Sequence, residues 1–301
     1  MTNPFKDKKK SIAIICAAIA VIVAAVLLIN HFSAPKISSL AVAGVTPQDV
    51  TLISHRGMNL LAPENSLEAA KISAQYSYTH IEFDIRQTKD GVWVLMHDED
   101  ISRTTNGKGK ISELTYKQLF EYRIDKKADS EKQIIPSLGE MLEACGRLNL
   151  HPVIEIKQDG MDFIEPLMDY ISYRIDKCTI ITFDREQAEA VSAALKAGST
   201  ALSASNAELY WLTSDLSDET LETAKSDTSI GVSFNGNKAG TKEEIEKFNQ
   251  AGIRLAAWTI DKPERLAELY ALGVTTFTTN SITPDGIAVE TTTEVTSNER
   301  R

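Results

Sequence analysis

Acidic and basic side chains recur at a spacing of two residues in two apolar, β-branched stretches of the sequence. Glu82 and Asp84 lie in the first stretch, and Glu155 and Lys157 lie in the second. Residues two apart on a β-strand project from the same face, so each pair is expected to share one face of its strand. Three carboxylates gathered in one place are unfavourable unless a cation compensates for them. Because Ca²⁺ and Mg²⁺ prefer oxygen ligands, the pattern predicts one divalent cation, Ca²⁺ or Mg²⁺, bound by Glu82, Asp84 and Glu155.

Two histidines stand beside these acidic residues at the ends of apolar runs. His55 and His97 together would supply a base for an attacking oxygen and an acid for a leaving oxygen, the two groups that phosphodiester cleavage needs. Arg56 offers a planar guanidinium for phosphate oxygens, and Trp258 would wall a substrate pocket. Each residue also has a structural explanation when taken singly, because a histidine or tryptophan can belong to the core and Arg56 or Lys157 to an ion pair. The set as a whole favours a catalytic site.

The elements that must position these residues are short β-branched runs separated by helical stretches. Strands that alternate with helices pair in parallel through right-handed crossovers. A chain of 301 residues is long enough for one (β/α)8 TIM barrel with additional segments. The sequence predicts strands at 51–55, 80–85, 92–97, 153–157, 178–183, 200–205, 229–234, 254–260 and 275–280, and helices at 66–75, 138–148, 185–197, 242–251 and 263–272.

Nine predicted strands are one more than an eightfold barrel contains. Residues 86–91, with the turn signal Asp90-Gly91, are too few for a helical crossover, so 92–97 is expected to return as a hairpin from the second barrel strand. The polar stretch 99–134 is expected to be irregular and to lie over the barrel mouth. A doubly wound open sheet is the alternative fold, but it predicts a glycine-rich phosphate loop after the first strand, which this sequence lacks. In a barrel, active sites lie at the carboxyl ends of the strands, where the acidic residues and histidines fall.

Composition excludes some partners and leaves the redox state of the thiols open. The formal net charge of −10 argues against a nucleic-acid partner, because phosphate binding by charge needs a basic surface. The three cysteines, Cys16, Cys145 and Cys178, form no CxxC pair, so no zinc or redox motif is indicated. A Cys145–Cys178 disulfide is conceivable outside the cytoplasm, but buried free thiols are the favoured interpretation.

The N-terminus has the pattern of a membrane anchor. Four lysines within residues 6–10 precede an uncharged apolar run at 12–29, which is long enough to cross a bilayer as a helix. Lysines remain on the cytoplasmic side, so the catalytic domain is expected to be extracellular on a single-pass cell-membrane protein. A cleaved signal peptide is the alternative, although the Ala41-Val42-Ala43 triplet lies far beyond the apolar run. The predicted organisation is a basic cytoplasmic tail at 1–10, an anchor at 11–30, a spacer at 31–49, the barrel at 50–288 and a disordered tail at 289–301.

A series of motifs in the barrel region resembles one family, the glycerophosphodiester phosphodiesterases, which are related to phosphatidylinositol-specific phospholipase C. The motifs run in the family's order over about residues 50–288, and they are specific as a set although each is weak alone. They are His55-Arg56-Gly57, Pro63-Glu64-Asn65-Ser66, Ile81-Glu82-Phe83-Asp84-Ile85, Thr88-Lys89-Asp90-Gly91, His97-Asp98, Arg103-Thr104-Thr105-Asn106-Gly107, Ile135-Pro136-Ser137-Leu138, Ile154-Glu155-Ile156-Lys157 and Ala257-Trp258-Thr259.

The resemblance implies a reaction and a role for each matching residue. The reaction is hydrolysis of a glycerophosphodiester to sn-glycerol 3-phosphate and an alcohol. The implied roles are acid/base catalysis for His55 and His97, metal binding for Glu82, Asp84 and Glu155, and phosphate binding for Arg56 and Lys157. Two positions depart from the family pattern: Ser66 replaces a threonine, and Asn280 replaces an aspartate at the end of the last strand. The second change removes a negative charge near the mouth and puts the substrate preference in doubt.

Several choices stay open at the level of sequence. Candidate substrates are deacylated phospholipids, lysophospholipids and polyglycerolphosphate polymers. A phospholipase acting on membrane lipids would show an exposed apolar rim at the mouth, and the sequence indicates no obvious loop of that kind. A non-catalytic, membrane-tethered barrel is disfavoured because every expected catalytic residue is present. The sequence does not assign the base among the two histidines, nor decide between water and a neighbouring glycerol hydroxyl as nucleophile.

Overall fold

A closed barrel of eight parallel strands forms the centre of the computed structural model, which describes residues 37–124, 133–198, 201–203 and 205–285. Each barrel strand pairs in parallel with its two neighbours, and the first barrel strand closes the ring by pairing with both the second and the last. This confirms the predicted barrel. The barrel strands are β2 (Thr51–Ser54), β3 (His80–Gln87), β5 (His151–Ile156), β6 (Cys178–Thr182), β7 (Ala207–Thr213), β8 (Gly231–Asn235), β9 (Leu255–Trp258) and β10 (Thr276–Thr279).

One strand outside the ring is the hairpin return expected from the short 86–91 connection. β4 (Trp93–Leu95) pairs antiparallel with the end of β3, with Leu95 opposite Ile85 and Trp93 opposite Gln87. The hairpin therefore extends β3 beyond the barrel and carries the chain towards His97 at the mouth. The prediction of eight barrel strands and one hairpin strand is confirmed.

Helices cover the barrel, and several begin at a residue whose side chain caps the first turn. Ser66, Ser137 and Thr241 each accept a hydrogen bond from a backbone N–H of the first turn, which satisfies a donor that the helix itself leaves unpaired. The described helices are α1 (Leu40–Ala43), α2 (Leu67–Gln75), α3 (Tyr116–Leu119), α4 (Leu138–Leu148), α5 (Ile164–Ser172), α6 (Arg185–Ala197), α7 (Asp218–Ala224), α8 (Lys242–Gln250) and α9 (Pro263–Ala271), with 3₁₀ turns at Pro47–Asp49 and Ile111–Glu113. The five predicted helices are present to within one residue at each end; α1, α3, α5 and α7 were not predicted.

Apolar side chains at alternate positions of the barrel strands face opposite sides, so they form two separate layers of core. Residues such as Ile81, Phe83 and Phe277 face outwards and pack beneath the helices, where they are fully buried. Residues such as Val153 and Tyr210 face the barrel interior in a smaller cluster. The alternation fixes the register of the strands, because a slip of one residue would move every apolar side chain to the opposite face.

The predicted strand at 200–205 is wrong, and the fifth barrel strand lies at Ala207–Thr213 instead. Its parallel register places Cys178 opposite Ala207 and Thr182 opposite Trp211. Tyr210 and Trp211 lie in this strand, and bulky aromatic side chains favour a pleated, half-buried surface over the small residues of 200–205. Ser203 and Asn206 instead form a turn that leads into the strand.

The stretch expected to be irregular, 99–134, contains regular structure and a small core of its own. In its described part it contains α3 and the Ile111–Glu113 turn. Ile101, Ile111 and Leu119 are buried together with Val94 and Met96 of the hairpin. The prediction was wrong here because these apolar residues are scattered singly among polar ones and meet only when the hairpin brings them together.

Within the predicted spacer at 31–49, residues 37–49 belong to the same compact unit as the barrel. β1 (Ser38–Ser39) pairs in parallel with β11 (Ile282–Thr283) after the last barrel strand. Leu40 follows β1 and is fully buried against the barrel's apolar cluster. A buried leucine needs a fixed position, so this part of the segment cannot act as a free linker.

Other predictions fall wholly or partly outside the described residues. The apolar run 12–29, Cys16 and the tail 289–301 lie outside them. Within the part of the chain that the structure describes, no helix combines the length and apolar character needed to cross a membrane. Cys145 and Cys178 are both buried free thiols, so the disulfide does not form.

Candidate active site

Three carboxylates meet at the carboxyl ends of the neighbouring strands β3 and β5. The parallel register sets Asp84 opposite Glu155, and Glu82 lies two positions earlier on the same face of β3. Their relative exposures are 1% for Glu82, 0% for Asp84 and 6% for Glu155. One oxygen from each lies within 4.8 Å of the others, a spacing that allows all three to bind one ion.

Glu82, Asp84 and Glu155 together form an acidic centre, and its electrostatics fit a bound cation. Glu82 Oε1 and Asp84 Oδ1 are buried and, among the described residues, make no hydrogen bond. Burial, reinforced by the neighbouring carboxylates, raises the pKa of Glu82 well above its usual range and also raises the pKa of Glu155. Buried carboxylates of this kind are unfavourable as anions unless positive charge lies beside them. The donor set, made of oxygens alone, suits a hard divalent cation such as Ca²⁺ or Mg²⁺.

The turn after β2 presents His55 and Arg56 to the acidic centre. The His55 backbone N–H donates to the Thr279 carbonyl at 2.9 Å, which holds the start of the turn on the last barrel strand. Arg56 has a left-handed φ of 56°, and its backbone N–H donates to Glu82 Oε2 at 2.8 Å. Gly57 follows with a φ of +72°, and its Cα lies against Ala69 of α2. The backbone of this turn is therefore itself part of the site.

The His55 imidazole is held through Nδ1. Nδ1 lies 2.8 Å from Asn280 Oδ1, and Nε2 lies 3.9 Å from Glu82 Oε2. Burial, followed by the positive charge of Arg56, lowers the pKa of His55 from its usual value. His55 is therefore a neutral imidazole near neutral pH, with one nitrogen directed at the acidic centre.

His97, at the end of the hairpin, is held in the same way but by a charged partner. Its Nδ1 lies 2.7 Å from Asp98 Oδ1, and its carbonyl accepts a hydrogen bond from Arg86 Nε at 3.0 Å. Burial lowers the pKa of His97, whereas Asp84 and Asp98 act in the opposite direction. A hydrogen bond from Arg103 lowers the pKa of Asp98 to about 2, so this carboxylate is ionised beside the imidazole.

Both predicted phosphate-binding residues contact the acidic centre. Arg56 Nε lies 3.3 Å from Asp84 Oδ2. Lys157 Nζ lies 2.5 Å from Glu155 Oε1 and 3.7 Å from Asp84 Oδ1. The side chains of Arg56 and Lys157 thus partly neutralise the carboxylates. These contacts are the structural ion pairs that the sequence offered as the alternative explanation of both residues. They also place positive charge where phosphate oxygens would approach.

Residues whose roles the sequence analysis did not assign connect the two histidine-bearing loops. Glu64 accepts from Arg56 Nη1 at 2.9 Å and from both terminal nitrogens of Arg103 at 2.8 and 2.7 Å. Arg103 Nε also donates to Asp98. Asn65 exchanges two hydrogen bonds with Asp84, one to the carboxylate at 2.8 Å and one from the backbone N–H at 3.0 Å. Glu64, Asn65 and Arg103 lie in the quoted family motifs, which was the signal that could have identified them.

Two aromatic side chains pack together at the carboxyl ends of β6 and β9. Trp258 donates through Nε1 to the Ser233 carbonyl at 3.0 Å, so its ring is fixed on β9. Phe183 packs edge-on against Trp258 with ring centroids 5.4 Å apart, and Lys157 Nζ lies 5.2 Å from the Phe183 centroid. Phe183, which was not predicted as a site residue, is 48% exposed and follows β6 directly.

A cleft of about 1240 Å³ opens beside His55, Arg56 and Asn280. Its apolar lining includes Leu61 and Leu67, which are 43% and 36% exposed. The expectation that no apolar rim borders the mouth is therefore wrong. The loop was overlooked because Leu60-Leu61-Ala62 is a short run whose exposure depends on how it leaves the barrel.

The fold and the site together define an α/β-barrel protein with an acidic centre able to hold a cation at the carboxyl ends of its strands. Residues 55–283 match the glycerophosphoryl diester phosphodiesterase family, and the chain belongs to this family. This agrees with the resemblance drawn from the motifs.

Relatives with partial coverage are similar in sequence. Glycerophosphodiester phosphodiesterase 1 of Mus musculus is 37% identical over 139 residues, covering 44% of this chain and 41% of that protein. A glycerophosphodiester phosphodiesterase of Caldanaerobacter subterraneus is 36% identical over 110 residues, covering 35% of this chain and 44% of that protein. The matched region spans less than half the length of either relative.

Solved structures extend the comparison of the fold over most of the chain. A phosphodiesterase of Oleispira antarctica, in complex with the product sn-glycerol-3-phosphate, superposes with a TM-score of 0.65 at 20% identity, over 77% of this chain and 93% of that chain. A glycerophosphodiester phosphodiesterase of Agrobacterium tumefaciens superposes with a TM-score of 0.59 at 22% identity, over 79% and 99%. At these identities the likeness shows the barrel fold.

Proposed function

We propose that this protein hydrolyses glycerophosphodiesters to sn-glycerol 3-phosphate and an alcohol, using one divalent cation and two histidines. The observation that carries the proposal is the acidic centre: three buried carboxylates with oxygens within 4.8 Å of one another, flanked by two basic side chains and by His55. Membership of the family and the product named for the Oleispira enzyme support the substrate class.

Glu82, Asp84 and Glu155 would hold the cation. When bound, a Ca²⁺ or Mg²⁺ ion would offset the negative charge that builds on the phosphate oxygens as the diester is cleaved. The oxygens available for this purpose are Glu82 Oε1 and Asp84 Oδ1, which make no hydrogen bond among the described residues. Asn65 holds the other oxygen of Asp84, so the free oxygen keeps a defined direction.

The side chains of the protein account for binding and proton transfer. When the substrate enters, Arg56 and Lys157 would donate hydrogen bonds to its phosphate oxygens in place of some of their contacts with the carboxylates. Both imidazoles are anchored through Nδ1, which leaves Nε2 of each as the atom that exchanges protons. One histidine would deprotonate the nucleophile, and the other would protonate the leaving alcohol oxygen.

Hydrolysis of glycerophosphocholine and glycerophosphoglycerol, measured with and without a chelator, tests this proposal. Turnover is expected to disappear with the chelator and to return with Ca²⁺ or Mg²⁺. His97→Ala is expected to lower kcat roughly 10²- to 10⁴-fold, the usual contribution of a general acid or base. His80→Gln, a histidine at the opposite end of β3, serves as the matched control and should leave kcat unchanged. Full turnover in chelator, or an active His97→Ala, would refute the mechanism.

A second substrate class is favoured by the apolar lining of the cleft. Leu61 and Leu67 line the same cleft as His55 and Arg56, where an acyl chain could lie while the phosphodiester reaches the acidic centre. We therefore propose lysophospholipids as alternative substrates. Leu61→Ser combined with Leu67→Ser should raise KM for lysophosphatidylcholine and leave glycerophosphocholine unaffected, whereas Val42→Ser, also at an exposed apolar residue, should change neither. Equal effects on both substrates would contradict this assignment.

We also propose that residues 11–30 anchor the protein in the cell membrane, with the barrel on the extracellular side. The support is the uncharged run 12–29 preceded by lysines. Cell fractionation should leave the full chain in carbonate-washed membranes, and protease added to intact cells should degrade the barrel. Recovery of the full chain in the soluble fraction would contradict the anchor.

A further inference from the structure

The side chain of Asn280, at the end of β10, joins His55 to a carboxylate that no step described above uses. Asn280 Oδ1 lies 2.8 Å from His55 Nδ1 and accepts a hydrogen bond from Asn59 Nδ2 at 2.6 Å. On its other side, Asn280 Nδ2 donates to Asp261 Oδ2 at 2.8 Å. The chain His55–Asn280–Asp261 is therefore continuous, although Asn280 stands where the family pattern has an aspartate.

Asp261 admits only one orientation of the Asn280 amide. Asp261 Oδ1 accepts from the Asn280 backbone N–H at 2.7 Å and from Thr279 Oγ1 at 3.0 Å, which fixes the carboxylate in place. A carboxylate only accepts hydrogen bonds, so the NH₂ group of Asn280 must face it and Oδ1 must face His55. Asn59 supports this orientation, because its NH₂ group is also bound to the His55 carbonyl at 2.8 Å and so faces Asn280 as a donor.

The orientation of the amide determines the tautomer of His55. An amide oxygen accepts hydrogen bonds and donates none, so the neutral imidazole must carry its hydrogen on Nδ1. Nε2, on the side of Glu82, is then the unprotonated nitrogen. With the opposite amide orientation, the NH₂ group would face Nδ1 and the hydrogen would move to Nε2.

We propose that Asp261 is a positioning residue that holds His55 in the Nδ1–H tautomer by orienting the Asn280 amide. The family pattern has a carboxylate directly beside this imidazole. Here the carboxylate is Asp261, one side chain further away, and it acts by orienting the Asn280 amide. The proposal rests on the proposed function only in so far as His55 exchanges protons through Nε2. Partners of this kind behind a functional histidine fix both its tautomer and its ring orientation.

Asp261→Asn, made in an Asn59→Ala background of the full chain, is the decisive variant, because the Asn59 NH₂ group would otherwise oppose any turn of the Asn280 amide. The remaining oxygen of the new amide at position 261 is retained by the Asn280 N–H and Thr279, so its NH₂ group faces the NH₂ group of Asn280. Two donors cannot bond, and Asn280 is expected to turn over and present its NH₂ group to His55. The expected result is a ¹⁵N NMR signature of His55 that changes from Nδ1–H to Nε2–H in the neutral ring. A roughly 10- to 100-fold loss of kcat with little change in KM should accompany it.

Adding Asn280→Asp in the same Asn59→Ala background exchanges the two groups and serves as the matched rescue, with Asn59→Ala alone as the parent protein. The carboxylate at position 280 can accept from His55 and from the new amide, so the Nδ1–H tautomer and most of the turnover of the parent should return. Loss of turnover on Asp261→Asn without a change of tautomer from the parent, or no recovery on adding Asn280→Asp, would overturn the proposal.

The NMR measurement separates this proposal from the proposed function. The His55 tautomer of the unaltered protein is observable whether or not a given substrate is hydrolysed, and it must be Nδ1–H. An Nε2–H signal in the unaltered protein would overturn the inference even if both variants failed to fold. Absence of glycerophosphodiester hydrolysis together with the expected tautomers would refute the function and leave the role of Asp261 intact.

Discussion

At the scale of single residues, the acidic centre opposes stability. Glu82 and Asp84 each carry a buried oxygen without a hydrogen-bond partner among the described residues. Apolar or amide side chains at these positions would fold with less unfavourable electrostatics, since burial and neighbouring carboxylates raise the pKa of Glu82. Residues that weaken a fold in this way commonly belong to functional sites.

Glu82→Gln is therefore expected to stabilise the metal-free protein. At pH 7 in chelator, the variant should gain about 1–3 kcal/mol in the free energy of unfolding, the usual cost of burying a polar group that lacks a hydrogen-bond partner. The unaltered protein should gain stability when Ca²⁺ or Mg²⁺ is added, because binding to the folded state alone stabilises it, and the variant should lose this gain. Urea unfolding measures both quantities.

The exposed Glu68→Gln is the matched control, and it should change stability by less than about 0.5 kcal/mol. A lower stability of Glu82→Gln in chelator would show that the buried carboxylate is already compensated without a cation.

At the scale of elements, the register of β3 against β5 and the turn after β2 assemble the site. The register brings Asp84 opposite Glu155, and the turn directs the Arg56 backbone N–H at Glu82. The turn can approach the barrel because Gly57 has no side chain. A Cβ atom there would lie 2.6 Å from Ala69 Cβ and 2.9 Å from the Ala69 carbonyl carbon.

Gly57→Ala is expected to destabilise the protein by about 2–5 kcal/mol, which combines the left-handed backbone with overpacking against Ala69. It should also lower turnover, because the same turn carries His55 and Arg56. Gly252→Ala is the matched control, since Gly252 has the same φ of +72° but nothing within 4 Å of its added Cβ.

The control should lose only about 1–2 kcal/mol, the part due to the left-handed backbone. Thermal or urea unfolding of both variants separates the two contributions. Equal losses would show that contact with Ala69 is unimportant.

At the scale of the whole molecule, the two ends of the barrel carry ionisable groups of different kinds. The carboxyl ends carry the acidic centre, and the amino ends of β3 and β5 carry His80 and His151 with ring centroids 4.6 Å apart. Burial, followed by repulsion from His151, lowers the pKa of His80 to about 4, and burial lowers the pKa of His151. This end of the barrel is therefore sensitive to acid.

The folded protein is expected to lose stability between about pH 6.5 and 4, where the unfolded chain binds a proton at His80 and the folded chain does not. The contribution of the neutral His80 side chain to the free energy of unfolding is fully present above pH 6.5 and is lost as the pH falls towards 4. His80→Gln should reduce the loss over this range by about 1–3 kcal/mol, measured as the difference in urea unfolding between the two proteins.

Carboxylate protonation is common to both proteins in that comparison and cancels in the difference. An unchanged slope of stability against pH in His80→Gln would contradict the lowered pKa.

Features that depend on neighbouring residues could be predicted from the amino-acid sequence. The two-residue spacing of Glu82 and Asp84 placed both on one face of a strand, and the short 86–91 connection required a hairpin. The start of α4 is equally local, because Ser137 accepts a hydrogen bond from the Glu140 backbone N–H three residues further on. These features are local because they follow from backbone periodicity and from hydrogen bonds within a few residues.

Contacts between residues that are distant in the sequence could not be predicted and are seen only in the folded barrel. His55 and Asn280 are 225 positions apart, and nothing local to either one indicates that an amide orients the imidazole. The link from Arg56 through Glu64 to Arg103 likewise depends on how two loops leave the barrel. The position of β7 also escaped prediction, because a strand is selected by the neighbours it pairs with as well as by its own composition. Partner choice is a property of the closed ring, so it appears only once the ring is formed.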